Sequence, residues 1–213
     1  MTLVTVAALG DGRRVSNGMK VALLASYKKD EPLLRLGRLL TRNQWKLLGS
    51  SGTSQYLNEN GIPCLDVSNI VGKPILGHRV VTLSREIYAG LLAYTEDDFK
   101  ELGRTGVQNI DLVYVALYPL EETVADSKSE PEDVIEKTDI GGPTLLRAAA
   151  KGRRIALSNP EQIPVLEEWF SRGTPEKERA DMVAKFAAAA ERRVADYVDA
   201  SAKYWENRMP HQQ

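Results

Sequence analysis

Apolar positions along the chain fall into two rhythms. Val21-Ala22-Leu23-Leu24-Ala25 is a short apolar run of strand length, and Ile110 to Leu117 is the most strand-like run of all. Trp45 to Leu48, Cys64 to Val67 and Ile155 to Leu157 read the same way, and Arg79-Val80-Val81-Thr82-Leu83 reads as a short β segment. Between these runs the period lengthens. Pro32 opens a helix that carries Leu33, Leu36, Leu39 and Leu40 on one face. A short helix follows Gly49-Ser50-Ser51-Gly52-Thr53 and stops at Asn60-Gly61. Further helix starts stand at Pro131-Glu132-Asp133, after a polar loop from Ala125 to Glu130, and at Gly141-Gly142-Pro143, which runs on to Lys151. Asn159-Pro160 begins another that continues through Trp169. Strands alternating with helices predict an α/β fold with a mainly parallel sheet flanked by helices.

The last segment keeps one rhythm throughout. Thr174 is placed to cap a helix, with Pro175 at its first position and Glu176 and Glu178 in its first turn. Met182, Phe186, Ala190, Val194, Tyr197, Ser201 and Tyr204 then recur at spacings of three and four, with neither Gly nor Pro before Pro210. One long C-terminal helix is expected, far beyond the usual mean length. Its apolar stripe must lie on the same domain or on a partner subunit. The chain therefore divides into an N-terminal extension (residues 1–19), an α/β domain (20–173) and a long helix with its tail (174–213).

Composition narrows the function classes. The 213 residues are 43% hydrophobic and 27% charged, with a formal net charge of -1, as in a globular domain with a sizeable core. No global field draws such a chain to nucleic acid or to an anionic membrane, so any bound anion must be held locally. No apolar run approaches the ~20 residues of a membrane span, and the N-terminus lacks the basic start of a secretory signal. Cys64 is the only cysteine, which excludes disulfides within the chain and fits a reducing cytoplasm, the expected location. His78 and His211 are the whole histidine supply, so no metal cluster is expected. Acid–base work then falls to Lys, Asp, Tyr or backbone groups.

Two segments have the makings of a site. Gly49-Ser50-Ser51-Gly52-Thr53 leaves a strand and enters a helix, where free amides and the helix dipole favour an anion; an ordinary capped turn has the same composition. Asp139-Ile140-Gly141-Gly142-Pro143-Thr144 exposes amides at a helix start, suited to developing negative charge. Arg147 and Lys151 follow on one helical face, which is also what a solvated basic face looks like. Tyr118-Pro119 ends a strand, at the sheet edge where open α/β folds bind ligands.

In order, these segments are Ser-Gly-Thr after the second strand, Arg79-Val-x-Thr-Leu, Ile110-Asp-Leu-Val-x-Val-x-Leu-Tyr-Pro, and Asp139-Ile-Gly-Gly-Pro-Thr-Leu-Leu-Arg-Ala-Ala-Ala-Lys151. Together they resemble the IMP cyclohydrolase domain of the bifunctional AICAR transformylase/IMP cyclohydrolase family. The resemblance runs from about Lys20 to the C-terminus, where Met209-Pro210-His211-Gln212 is similar to the start of that family's second domain. It implies a methylglyoxal-synthase-like fold, a homodimer, and a nucleotide substrate. The family domain closes the purine ring, converting 5-formamidoimidazole-4-carboxamide ribotide (FAICAR) to IMP without a cofactor. Folate-dependent formyl transfer is not expected, because the transformylase half is missing.

Carried over residue by residue, the resemblance assigns catalysis to Asp139, Lys151 and Tyr118; the Gly141 and Gly142 amides at the helix start join them as the site for developing negative charge. It assigns substrate and phosphate binding to Ser26, Ser50, Gly52, Thr53, Arg79 and Thr82, to which the turn itself adds Ser51 and the neighbouring loop Lys28. The departures are specific. The family's motif lysine is Val81 here, its following His-Pro is Ser84-Arg85, a later histidine is Tyr88, and the asparagine before Leu-Tyr-Pro is Ala116. Its first loop, Ser-Asp-Lys-Thr-Gly, is replaced by Lys28-Lys29-Asp30-Glu31-Pro32, where either lysine is placed to meet a phosphate. The expected activity is ring closure of FAICAR or a purine-analogue equivalent. The alternative is a non-catalytic purine-nucleotide-binding protein on the same fold. Methylglyoxal-synthase-type phosphate elimination ranks below both.

Overall fold

Five strands, all parallel, form one sheet in the order β3-β2-β1-β4-β5. A computed structural model describes residues 19–77, 79–126 and 128–208, so all of the N-terminal extension but Met19, together with His78 and the Met209–Gln212 resemblance, lies outside the described residues. The strands are β1 (Val21–Ser26), β2 (Lys46–Gly49), β3 (Leu65–Asp66), β4 (Leu112–Ala116) and β5 (Ile155–Leu157). Alternation along β1 sends Val21 and Leu23 to one face and Ala22 and Leu24 to the other, and each face has its own core.

Helices cover both faces, as a parallel sheet requires. They are α1 (Glu31–Arg42), α2 (Ser51–Glu59), α3 (Ser68–Val71), α4 (Arg85–Leu92), α5 (Glu96–Thr105), α6 (Leu120–Ala125), α7 (Pro131–Lys137), α8 (Gly141–Lys151), α9 (Ile163–Ser171) and α10 (Glu176–Glu206). On one face Leu33, Leu36 and Leu40 of α1 pack with Leu166 and Trp169 of α9. On the other, Leu145, Leu146 and Ala149 of α8 pack with Ile87 and Leu91 of α4.

The 31-residue α10 belongs to both cores. Its Met182, Val183 and Phe186 join the first, and its Ala190, Val194, Tyr197 and Tyr204 join the second. The helix thus crosses the β5 edge of the sheet and covers a strand that would otherwise expose unpaired backbone. This contact is within one chain.

Three details differ from the sequence reading. Residues 79–83 form no strand; only an isolated bridge pairs Val80 with Ile75, in a loop that reverses through Leu76 (φ 53°) and Gly77 (φ 75°). Thr174 does not cap α10, because its backbone is left-handed (φ 56°) and Pro175 stands at the cap. The stretch from 84 to 109, left unassigned, holds α4 with Ser84 as its cap, and α5 with a capping box between Thr95 and Asp98.

Candidate active site

The chain winds from β1 outward to β3 and then returns to build β4 and β5 on β1's other side. The sheet therefore has a switch point between β1 and β4, where the connections leave a crevice beyond the strands' carboxyl ends. A cavity of about 590 Å³ opens there, walled by Ser26 from β1, Val115 and Ala116 from β4, and the starts of α2 and α8. That volume suits a small ligand such as a nucleotide.

At one end lies the first turn of α2. Its leading amides have no intrahelical partner, and Ser50, Ser51 and Gly52 line the cavity. Lys29 hangs over this turn: a β-carbon at Gly52 would stand 3.9 Å from its Nζ. The ammonium donates to the carbonyl oxygens of Ser26 and Tyr27, and its burial lowers the lysine pKa, partly offset by Asp30. A phosphate placed here would meet amides, hydroxyls and one cation.

The opposite end is built on β4, α7 and α8. Asp139 precedes α8 and turns its carboxylate back over the helix start, accepting from the Gly142 amide at 2.8 Å. Burial raises its pKa above the ordinary 3.8, and the Gly142 and Gly141 amides pull in the opposite direction. Its backbone is fixed from α10, since the Asp139 N–H donates to the Tyr197 hydroxyl (2.7 Å), which itself donates to the Lys137 carbonyl (2.9 Å). Burial pushes the Tyr197 phenol up to about 12, so it stays neutral and serves as both donor and acceptor. Tyr197→Phe would leave the Asp139 N–H unpaired. It is expected to lower stability by about 1–3 kcal/mol, read as a reduced midpoint in thermal denaturation.

Tyr118 stacks on Tyr27 with ring centroids 4.8 Å apart, and the Lys137 ammonium stands over both rings at 5.7 and 5.1 Å. Burial raises the Tyr118 pKa, and the negative fields of Asp139 and Glu136 add to the rise. Thr82 is buried with its hydroxyl close to the start of α8, and the exposed Arg79 is paired with Glu136 at 2.7 Å.

The cavity thus brings together Ser26, Ser50, Ser51, Gly52, Arg79, Thr82, Tyr118, Asp139, Gly141 and Gly142. The other assignments fall elsewhere. Lys151 is exposed in the last turn of α8, about 15 Å along the helix axis from Gly141. Lys28 is exposed outside the cavity lining, and Lys29 is the lysine that reaches in. Thr53 is fully buried beneath the α2 end of the cavity; its Oγ1 accepts from the Ser26 amide (3.1 Å) and the Ser50 hydroxyl (2.9 Å), which fixes the loop shape. The Gly142 amide, assigned to an oxyanion, is taken up by the Asp139 carboxylate. Val81 and Ala116 line the cavity without charge or amide at those positions. Tyr27, Glu136 and Trp205 also line it and were not singled out from the sequence. Among the described residues no group of His, Cys, Asp and Glu could hold a metal ion, and no helix is long and apolar enough to cross a membrane.

This fold, with its site at the switch point, is that of an MGS-like domain: residues 32–144 match the family model of that description, and the chain belongs to the family. Its relatives are the bifunctional purine biosynthesis proteins PurH. That of Caldicellulosiruptor saccharolyticus is 42% identical over 135 residues, covering 62% of this chain and 26% of the relative. That of Halalkalibacterium halodurans is 35% identical over 190 residues, covering 84% of this chain and 37% of the relative. The chain therefore matches between about a quarter and somewhat over a third of the length of these relatives. The crystal structure of ForH superposes with a TM-score of 0.76 at 29% identity, covering 88% of this chain and 98% of that one.

Proposed function

We propose that this protein closes a purine-type ring, converting a formamido-carboxamide ribotide to the bicyclic nucleotide with loss of water. The substrate is FAICAR, giving IMP, or a purine-analogue equivalent from a specialised nucleoside pathway. The observation that carries this reading is Asp139, a carboxylate of raised pKa at one end of a cavity whose other end offers helix amides, hydroxyls and Lys29. The likeness to the purine biosynthesis proteins PurH supports a purine-type substrate.

The chemistry asks for orientation and a proton shuttle. The 5′-phosphate docks on the α2 amides, the Ser50 and Ser51 hydroxyls and Lys29. The ring then lies between β4 and the start of α8. Asp139 takes a proton from the carboxamide nitrogen as that nitrogen attacks the formyl carbon, and the new C–N bond leaves a tetrahedral oxyanion. Tyr118, a neutral phenol, donates to this oxygen. Asp139 returns the proton to it, and the hydroxyl departs as water with the proton of the formamido nitrogen. No cofactor enters the balance. Lys151, at the far end of α8, takes no part within this chain's cavity.

The test is incubation of purified protein with fresh FAICAR, following IMP by absorbance and chromatography against spontaneous closure. Acceleration over the uncatalysed rate is expected. Its absence at high protein concentration would reject IMP formation. The neutral Val81 and Ala116 in the cavity wall favour a second reading, nucleotide binding without turnover, which tight IMP binding in an inactive protein would support.

A further inference from the structure

Of the tryptophans, Trp45 and Trp169 are buried (6% and 2% exposed), whereas Trp205 is 53% exposed and lines the cavity. Its neighbour explains how an exposed indole is held there. Tyr204 continues the buried stripe of α10; its hydroxyl donates to the Pro131 carbonyl (3.4 Å) and the Arg208 guanidinium covers its ring at 4.2 Å. Trp205 is one residue on, about 100° around the helix and off the buried stripe. Its ring stands edge-on to that of Tyr204 (5.4 Å, 77°) and joins Ile135 and Ile140, themselves 51% and 60% exposed, in the cavity wall.

Topology decides which part of a ligand meets this wall. The phosphate end is set by α2, which follows β2, whereas Ile135, Ile140 and Trp205 share the cavity wall with the start of α8, where Gly142 meets Val115 and Leu117 at the end of β4, with β1 between β2 and β4. Two strand spacings separate the ends by about 10 Å. A ribose bridges that distance, so a nucleotide whose phosphate sits on α2 has its heterocycle at the indole. An exposed aromatic face in a cavity wall is a stacking platform for a planar base.

We propose that Trp205 is a specificity-determining residue: the substrate heterocycle stacks on its indole, which selects planar nitrogen heterocycles over smaller phosphorylated sugars. The inference rests on the nucleotide reading above and goes beyond it by naming what recognises the base. Because Trp45 and Trp169 are buried, acrylamide-quenchable fluorescence reports Trp205. Two probes are titrated, IMP and ribose 5-phosphate, which lacks the base. IMP is expected to shield Trp205 from acrylamide and ribose 5-phosphate to bind without shielding it. Trp205→Ala is expected to weaken IMP about tenfold and leave ribose 5-phosphate unchanged, with Trp205→Phe retaining most IMP affinity. IMP binding with Trp205 still quenched, and with equal affinity in Trp205→Ala, would overturn the stacking role and leave the nucleotide site standing. Failure of both probes to bind would instead overturn the nucleotide reading, and the inference with it.

Discussion

Asp139→Asn is expected to lower the turnover number for ring closure by about 10³-fold, the range of a lost general base, without lowering the thermal midpoint at pH 7. The substitution keeps the oxygen that accepts from the Gly142 amide, so the start of α8 keeps its partner. What disappears is the basic lone pair and the buried charge. The sign of the stability effect follows from the raised pKa. A carboxyl that is protonated more readily in the folded than in the unfolded state contributes stability below its unfolded pKa. That contribution declines as pH rises through the folded pKa. At neutral pH the ionised Asp139 therefore opposes folding, and removing its charge leaves the midpoint equal or higher. For the proposed ring closure, the same shift is expected to set the acid limb of kcat/KM in the native protein. The base form is required, so activity falls with acid around a midpoint above 3.8, and that limb is absent from the residual rate of the variant. Native-like activity in Asp139→Asn would remove this carboxylate from the mechanism.

Most of the sheet could be read from runs such as Val21–Ala25 and Ile155–Leu157, because a parallel strand buried on both faces needs continuous apolar residues. Residues 84–109 escaped that reading although their signals are local: Ser84 accepts from Ile87 N, and Thr95 forms a capping box with Asp98. Their helices are short, and α4 contains Gly90, so no long apolar period marks them.

In the site, legibility followed locality. Asp139, Gly141 and Gly142 sit in one continuous motif, and the fold keeps them together. Lys28 and Lys29 are adjacent at a strand exit, and spacing alone does not say which turns inward. Lys151 was within reach of sequence reasoning: Gly141 and Lys151 stand at opposite ends of the eleven-residue α8, which places the lysine far from the cavity. Trp205 was not. It enters the site because α10 crosses the sheet edge and Tyr204 lands on Pro131, a contact between residues 73 apart that no local pattern encodes.

The second large effect is expected from Gly142→Ala, which alters packing and no titratable group. A β-carbon at this position would stand 2.4 Å from Asp139 Oδ2, 2.6 Å from Leu117 Cδ2 and 3.0 Å from Val115 Cγ1. Leu117 and Val115 are fixed in the core at the end of β4, and the backbone of Asp139 is tied to Tyr197. The strain must therefore be relieved by the start of α8 and the Asp139 side chain. A displacement of the base by about 1 Å costs on the order of 10²-fold in rate, because the attacking nitrogen no longer meets it in line. Overpacking at one buried position lowers stability by about 1–3 kcal/mol, small enough for a chain of this size to remain folded. Circular dichroism should thus show a native spectrum with a lowered midpoint, beside turnover reduced about a hundredfold and phosphate-end binding of ribose 5-phosphate intact. Equal losses of turnover and of ribose 5-phosphate binding would mean that the two ends of the cavity do not act separately. The placement of Asp139 as the base at the β4 end would then be wrong.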